Sequence, residues 1–181
     1  MIEKVCEIIS NIITMSQTFT SKQYLSQMNL IYFVQAGVML IFAIVIFVLV
    51  YSVDFVPTAD KGLAEKFTYA LIVVVIVGFL GAHFFYQQLL SRIDKSLDLK
   101  KKMPRYLGAL LIRSACLELP GLLASVVFFL TANFYLLFIP VFTAVAFYVL
   151  RPTISTIAED LQLSEQEKSQ LSNPQAIVAE R

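Results

Sequence analysis

From Met28 to Tyr51 the chain runs without one charged side chain, "MNLIYFVQAGVMLIFAIVIFVLVY". Roughly 20 apolar residues in a helix cover the hydrocarbon core of a bilayer, about 30 Å thick, so this stretch is long enough to span. Three more stretches follow, at about 67–90, 104–131 and 134–150, the last at the short limit. β-branched runs such as "LIVVVIVGFL" lower helix propensity in water, but in lipid every backbone group must be satisfied within the segment, which forces helix. Composition agrees, with 58% hydrophobic and 15% charged residues. A soluble domain carries about 25% charge. A net charge of +1 offers no basic face for nucleic acid.

The connections predict the arrangement. "TAN" (Thr131 to Asn133) joins the third and fourth spans as a tight antiparallel hairpin. The segment before the third span, "SRIDKSLDLKKKMPR", is strongly basic, whereas "SVDFVPTADKGLAEK" before the second is not. The positive-inside rule then makes the basic loop cytoplasmic and, with four spans, both termini cytoplasmic. The expected fold is an all-α polytopic membrane protein with four transmembrane helices arranged as two parallel-repeated helical hairpins. Residues 1–23 would form a cytoplasmic segment, residues 24–152 the transmembrane domain, and residues 153–181 a cytoplasmic tail.

Within the flanks, Ile2, Val5, Ile9 and Ile12 recur at helical spacing, which suggests an amphipathic helix on the membrane surface. In the tail Ile154, Ile157 and Leu161 share a face, and "SEQE" places Ser164 and Glu167 as a capping box. Disorder is expected beyond Asn173-Pro174. The N-terminal stretch lacks the apolar core of a signal peptide.

Arg113 and Glu118, in "LIRSACLELPG", stand out because charge at the bilayer centre costs roughly 2.5 to 3.5 kcal/mol on insertion scales. Five residues at 100° each set the two about 140° apart around the helix. Each should therefore look to a different neighbour, unless Pro120 acts as a hinge and bends them together. Counted inward from the basic end, Gln35 and His83 fall at the depth of Arg113, so a polar layer of Arg113, Gln35 and His83 is expected. Glu118 has three readings: a protonated packing device, an ion- or proton-binding group, or part of a substrate site. Tyr32, Tyr51, Tyr69, Tyr106, Tyr135 and Tyr148 lie near span ends and read as an interfacial belt. Gly78, Gly81, Ala82, Gly121, Ala124 and Ser125 are small enough to let helices approach closely.

No phosphate-cradling loop, nucleophile elbow or zinc-protease signature occurs. Cys6 and Cys116 lack metal-ligand or disulfide spacing. A non-enzyme without metal or cofactor is expected.

Sliding the third span onto the first by 82 positions superposes Tyr24 on Tyr106, Leu40 on Leu122 and Phe47 on Phe129, and sets Glu118 opposite Ala36. A duplicated hairpin with one mid-membrane glutamate resembles the rotor-ring proteolipids, the subunit c-like proteins. The chain also resembles a group of small, uncharacterised bacterial four-span membrane proteins. The matching residues are Arg113, Leu117, Glu118, Pro120, Thr131 and Asn133, with the tail "RPT…EDLQLSEQE". The rotor resemblance implies an ion- or proton-handling subunit working through Glu118. The alternative is a structural or accessory protein in which Arg113 and Glu118 organise helix packing and oligomer assembly. Either way the expected setting is the bacterial inner (cytoplasmic) membrane, with lipids and a homo-oligomer or larger membrane complex as partners.

Overall fold

The computed structural model describes residues 18–52 and 55–180. The amphipathic segment expected at the N-terminus and Cys6 lie outside the described residues. Three long helices dominate: α1 (Ser21–Ser52), α2 (Lys61–Ser91) and α3 (Leu99–Thr131). A single 3-10 turn (Phe134–Leu137) leads into α4 (Phe138–Val149), and the tail forms α5 (Ile154–Asp160) and α6 (Glu165–Ser172). A short strand β1 (Thr18–Thr20) precedes α1 and pairs antiparallel with β2 (Ile177–Glu180).

α1, α2 and α3 are each long and apolar enough to cross a membrane, which makes the chain compatible with an integral membrane protein. Their outer faces carry exposed Ile41, Ile44, Ile76, Val77 and Leu80, a surface too apolar to be left to water. The fourth stretch departs from expectation. Residues Phe134–Val149 pass the same test only together with Ile154–Asp160, and the two are bent 81° apart. Proline accounts for both limits. Pro140 has no N–H to offer the Leu136 carbonyl, and the turn before it is 3-10. Pro152 disfavours helical backbone at Arg151, so the helix stops there.

α3 is the hub. Of its apolar window 39% is buried, against 11% for α1 and for α2. α1 and α2 each pack along α3 rather than along one another, so the expected hairpin of first and second spans is not the packing used. Small residues set this geometry. A Cβ at Gly78 of α2 would lie 2.6 Å from the Pro120 ring and 3.2 Å from the Cys116 carbonyl on α3. That carbonyl has no intrahelical donor, because Pro120 lacks the N–H four residues on. On the α1 side, a Cβ at Gly121 would meet the Met39 sulfur. Met39 and Gly121 are 82 positions apart, the offset of the sequence echo. α4 runs antiparallel to α1, with Phe47 against Phe134 at one end (6.2 Å) and Tyr32 against Phe147 at the other (5.5 Å).

At the end bearing β1, the tail folds back as a cap. Ile157, Leu161, Leu163, Leu171 and Val178 bury against Tyr24, Met28, Leu99, Met103 and Tyr106. The expected capping box forms at Ser164 and Glu167. The expected disorder beyond Pro174 does not hold: β2 is ordered there, with Val178 and Ala179 buried. Its ladder partner is β1, far off in sequence, and the Ser21 N–H donates to the Ala176 carbonyl at 2.8 Å. The Ser21 hydroxyl donates to the Leu171 carbonyl.

Candidate functional site

The most developed polar arrangement lies beneath this cap. α2 brings Tyr86, α3 brings Tyr106 and Arg113, and α5 brings Asp160. The Tyr86 hydroxyl donates to Asp160 Oδ2 at 2.5 Å. The Tyr106 hydroxyl stands 3.1 Å from that carboxylate oxygen and 3.1 Å from the Tyr86 oxygen, so two protons serve a triangle of three oxygens. Arg113 completes the group from below, its guanidinium carbon 4.4 Å from the centre of the Tyr86 ring. That is a cation–π contact. Arg113 and Asp160 are thus joined through one tyrosine, charge on the ring face at one end and carboxylate on the hydroxyl at the other.

Tyr32 of α1 adds a fourth element. It is 3% exposed, and its hydroxyl has no hydrogen-bond partner among the described residues. A buried hydroxyl left unpaired costs about 1–3 kcal/mol. Asn29 Oδ1 and Gln35 Oε1 on α1 and Thr143 Oγ1 on α4 are likewise buried without a partner. Beside the triangle, an open cleft of about 280 Å³ is lined by Gln87, Leu90, Ser91, Lys95, Glu159 and Asp160. Lys95 Nζ on its rim donates to Gln162 Oε1 at 2.5 Å.

A second polar lock holds the cap to α3. Lys102 Nζ meets Glu167 Oε1 at 2.6 Å, with the lysine side chain 3% exposed and the glutamate 18%. Burial pushes the Glu167 carboxyl up, but hydrogen bonds from Lys102 and Ser164 outweigh it and hold it below the usual carboxylate range.

The residues singled out in the sequence scatter around this centre. Arg113 belongs to it. Among the described residues no hydrogen bond links Gln35 or His83 to Arg113: the Gln35 Oε1 atom is buried and unpaired, and His83 is exposed. Glu118 is half-buried, and no described residue makes a hydrogen bond or ion pair with it. The Pro120 ring faces Gly78 of α2, and Glu118, two residues before it, lies about 200° around the helix, on the flank away from α2. The Met39–Gly121 contact puts it level with Ala36 and one step from Gln35. Pro120 is buried inside α3 against Gly78. Among the tyrosines, Tyr51, Tyr69, Tyr135 and Tyr148 are exposed, as a belt requires. Tyr32 and Tyr106 are not, at 3% and 0%; both sit where the tail covers the helix ends. Among the described residues no cluster of His, Cys, Asp and Glu could hold a metal ion.

Tyr86 and Asp160, which close the triangle, carried no signal in the sequence. They are 74 residues apart, and their meeting depends on the tail folding back. No family model, curated protein or solved structure matches the chain.

Proposed function

We propose that this chain is a non-enzymatic integral membrane component whose charged residues divide two tasks. Arg113 organises the helices of its own chain, and Glu118 contacts something outside it. The observation that carries this is the split itself. Arg113 is engaged across α2, α3 and the tail through Tyr86, while Glu118, on the opposite flank of α3, is half-buried and without a partner among the described residues. A carboxylate in an apolar setting needs a proton, a hydrogen-bond donor or a countercharge. A second copy of the chain, or another subunit, would supply it. In this reading α4 makes the fourth crossing, the capped end faces the cytoplasm, and the membrane is the bacterial inner membrane.

A second reading has its own support. Glu118 is the one acid deep in the apolar windows of the three long helices, as in the rotor-ring proteolipids that the sequence resembles. There it would take up and release a proton or an ion. One experiment separates the two. Carbodiimide is added to the protein in lipid nanodiscs across a pH series, and native mass spectrometry is run on wild type and Glu118→Gln. Loss of an oligomer in the variant, with no pH-dependent modification of Glu118, supports the assembly role. Modification that follows pH, with assembly intact, supports proton handling. A monomer in both proteins that never reacts would sink both.

A further inference from the structure

We propose that Tyr86, Tyr106 and Arg113 form a receptor for a small oxyanion, and that the chain's own Asp160 is its tethered occupant. The chemistry fits an anion of carboxylate size. Two hydroxyls converge on one oxygen, at 2.5 Å and 3.1 Å, with a guanidinium stacked on the ring of the nearer tyrosine. Arg113 makes no ion pair with any described residue, and its guanidinium lies on the face of that ring. Tyr32 is the independent sign. Its hydroxyl, on the helix that packs against α3, is buried with no hydrogen-bond partner among the described residues. The neighbouring cleft gives access, since Asp160 itself forms part of its wall.

The arrangement has a mechanical consequence. Asp160 closes α5, and from there the chain runs through Leu161, Leu163 and Leu171 to β2, all packed on the helix ends. An incoming oxyanion that takes the place of Asp160 removes one of the polar contacts pinning the tail, leaving the Lys102–Glu167 pair, the Ser21 and Lys95 hydrogen bonds, the β1–β2 ladder and the apolar face to hold it. The receptor is therefore also a release point for the cap.

Chemical rescue tests this with the full chain in zwitterionic nanodiscs. Asp160→Ala is melted in sodium acetate, in inorganic phosphate, and in sodium chloride at matched ionic strength. Acetate or phosphate is expected to raise the melting temperature of the variant above its value in chloride, and adding Tyr86→Phe and Tyr106→Phe is expected to abolish the gain. Nanodiscs containing phosphatidylglycerol distinguish the source: rescue there without added anion assigns the receptor to a lipid headgroup. No difference between the anions in either lipid overturns the proposal. Should Asp160→Ala not fold, Asp160→Asn keeps the volume but loses the charge, and a cysteine at Val178, in a chain carrying Cys6→Ser and Cys116→Ala, reports tail release by its reaction with maleimide. Acetate is then expected to expose the thiol at roughly tenfold lower concentration in Asp160→Asn than with Asp160 intact, because a charged acceptor holds the hydroxyls more strongly than a neutral one. An equal response, or none, overturns it.

Discussion

At the scale of single residues, the polar groups of this chain are sorted by whether anything answers them. Tyr86 and Tyr106 are answered by Asp160; Tyr32, Gln35 and Thr143 are not. Removing an unpaired buried hydroxyl should cost little, since the folded state gains nothing from it. Tyr32→Phe is accordingly expected to melt within about 1 kcal/mol of wild type, or above it. Tyr86→Phe, which strips a donor from a carboxylate, should lose about 1.5–3 kcal/mol. Thermal unfolding in one detergent compares the two directly, and a larger loss at Tyr32 would mean that its hydroxyl has a partner after all. Gly78 is the other position where one atom decides. A methyl there would press on a proline ring at 2.6 Å with helix backbone just behind it, so Gly78→Ala should destabilise by about 1–3 kcal/mol. Gly121→Ala meets only the end of the Met39 side chain and should be milder. The sequence marked both glycines as small. It could not say which faced a rigid partner, because that depends on the register between helices.

At the scale of elements, the tail shows most clearly what was legible. The apolar face of α5 and the capping box of α6 are local patterns; the box formed as expected, and of the face Ile157 and Leu161 are buried while Ile154 stays exposed. β2 was not legible, since four residues that pair with a strand at the far end of the described chain have no period of their own. The three long helices were plain from their lengths. Their packing around α3 was not, because an apolar run looks alike on every side. The cap's attachment makes a prediction of its own. Lys102 is the deeper member of its pair, so Glu167→Ala, which strands a buried ammonium, should cost about 3 kcal/mol. Lys102→Met leaves a carboxylate that water can reach, and should cost less. Glu167 has its carboxyl held low, so the stability it contributes is present above the unfolded carboxyl value and lost as pH falls through the folded one. With an ordinary glutamate near 4.3, cap stability should begin to fall below about pH 4.3 in wild type, and Glu167→Gln should remove that part of the slope. Hydrogen exchange at β1 and β2 between pH 3 and 7 reads it.

For the whole molecule, the outer faces of α1 and α2 are apolar and exposed, and Glu118 is half-buried without a partner among the described residues. The assembly reading expects native mass spectrometry of wild type in nanodiscs to return an oligomer, and a strict monomer would count against it. The orientation reading expects single cysteines at Ser155 and Gln175, on the capped end, to react with an impermeant maleimide only in inverted membrane vesicles. Reaction in right-side-out cells would place the cap outside. The depth of Arg113 and Glu118 and their separation around the helix could be computed from spacing alone. Which of them would be absorbed into the chain's own network could not, since that was decided by Asp160, which lies outside every apolar run.

The pairing of β1 with β2 also has a bearing on biogenesis. Residues 18–20 leave the ribosome early, yet their partner is made about 157 residues later. At roughly 5 to 20 residues per second, the helix ends stay uncovered for something like ten to thirty seconds of every synthesis. Within that interval, from the making of Arg113 until Asp160 follows 47 residues later, roughly two to ten seconds at that rate, Tyr86, Tyr106 and Arg113 stand open to whatever anions the surroundings hold. The nascent chain passes through an unplugged form on its way to the closed one.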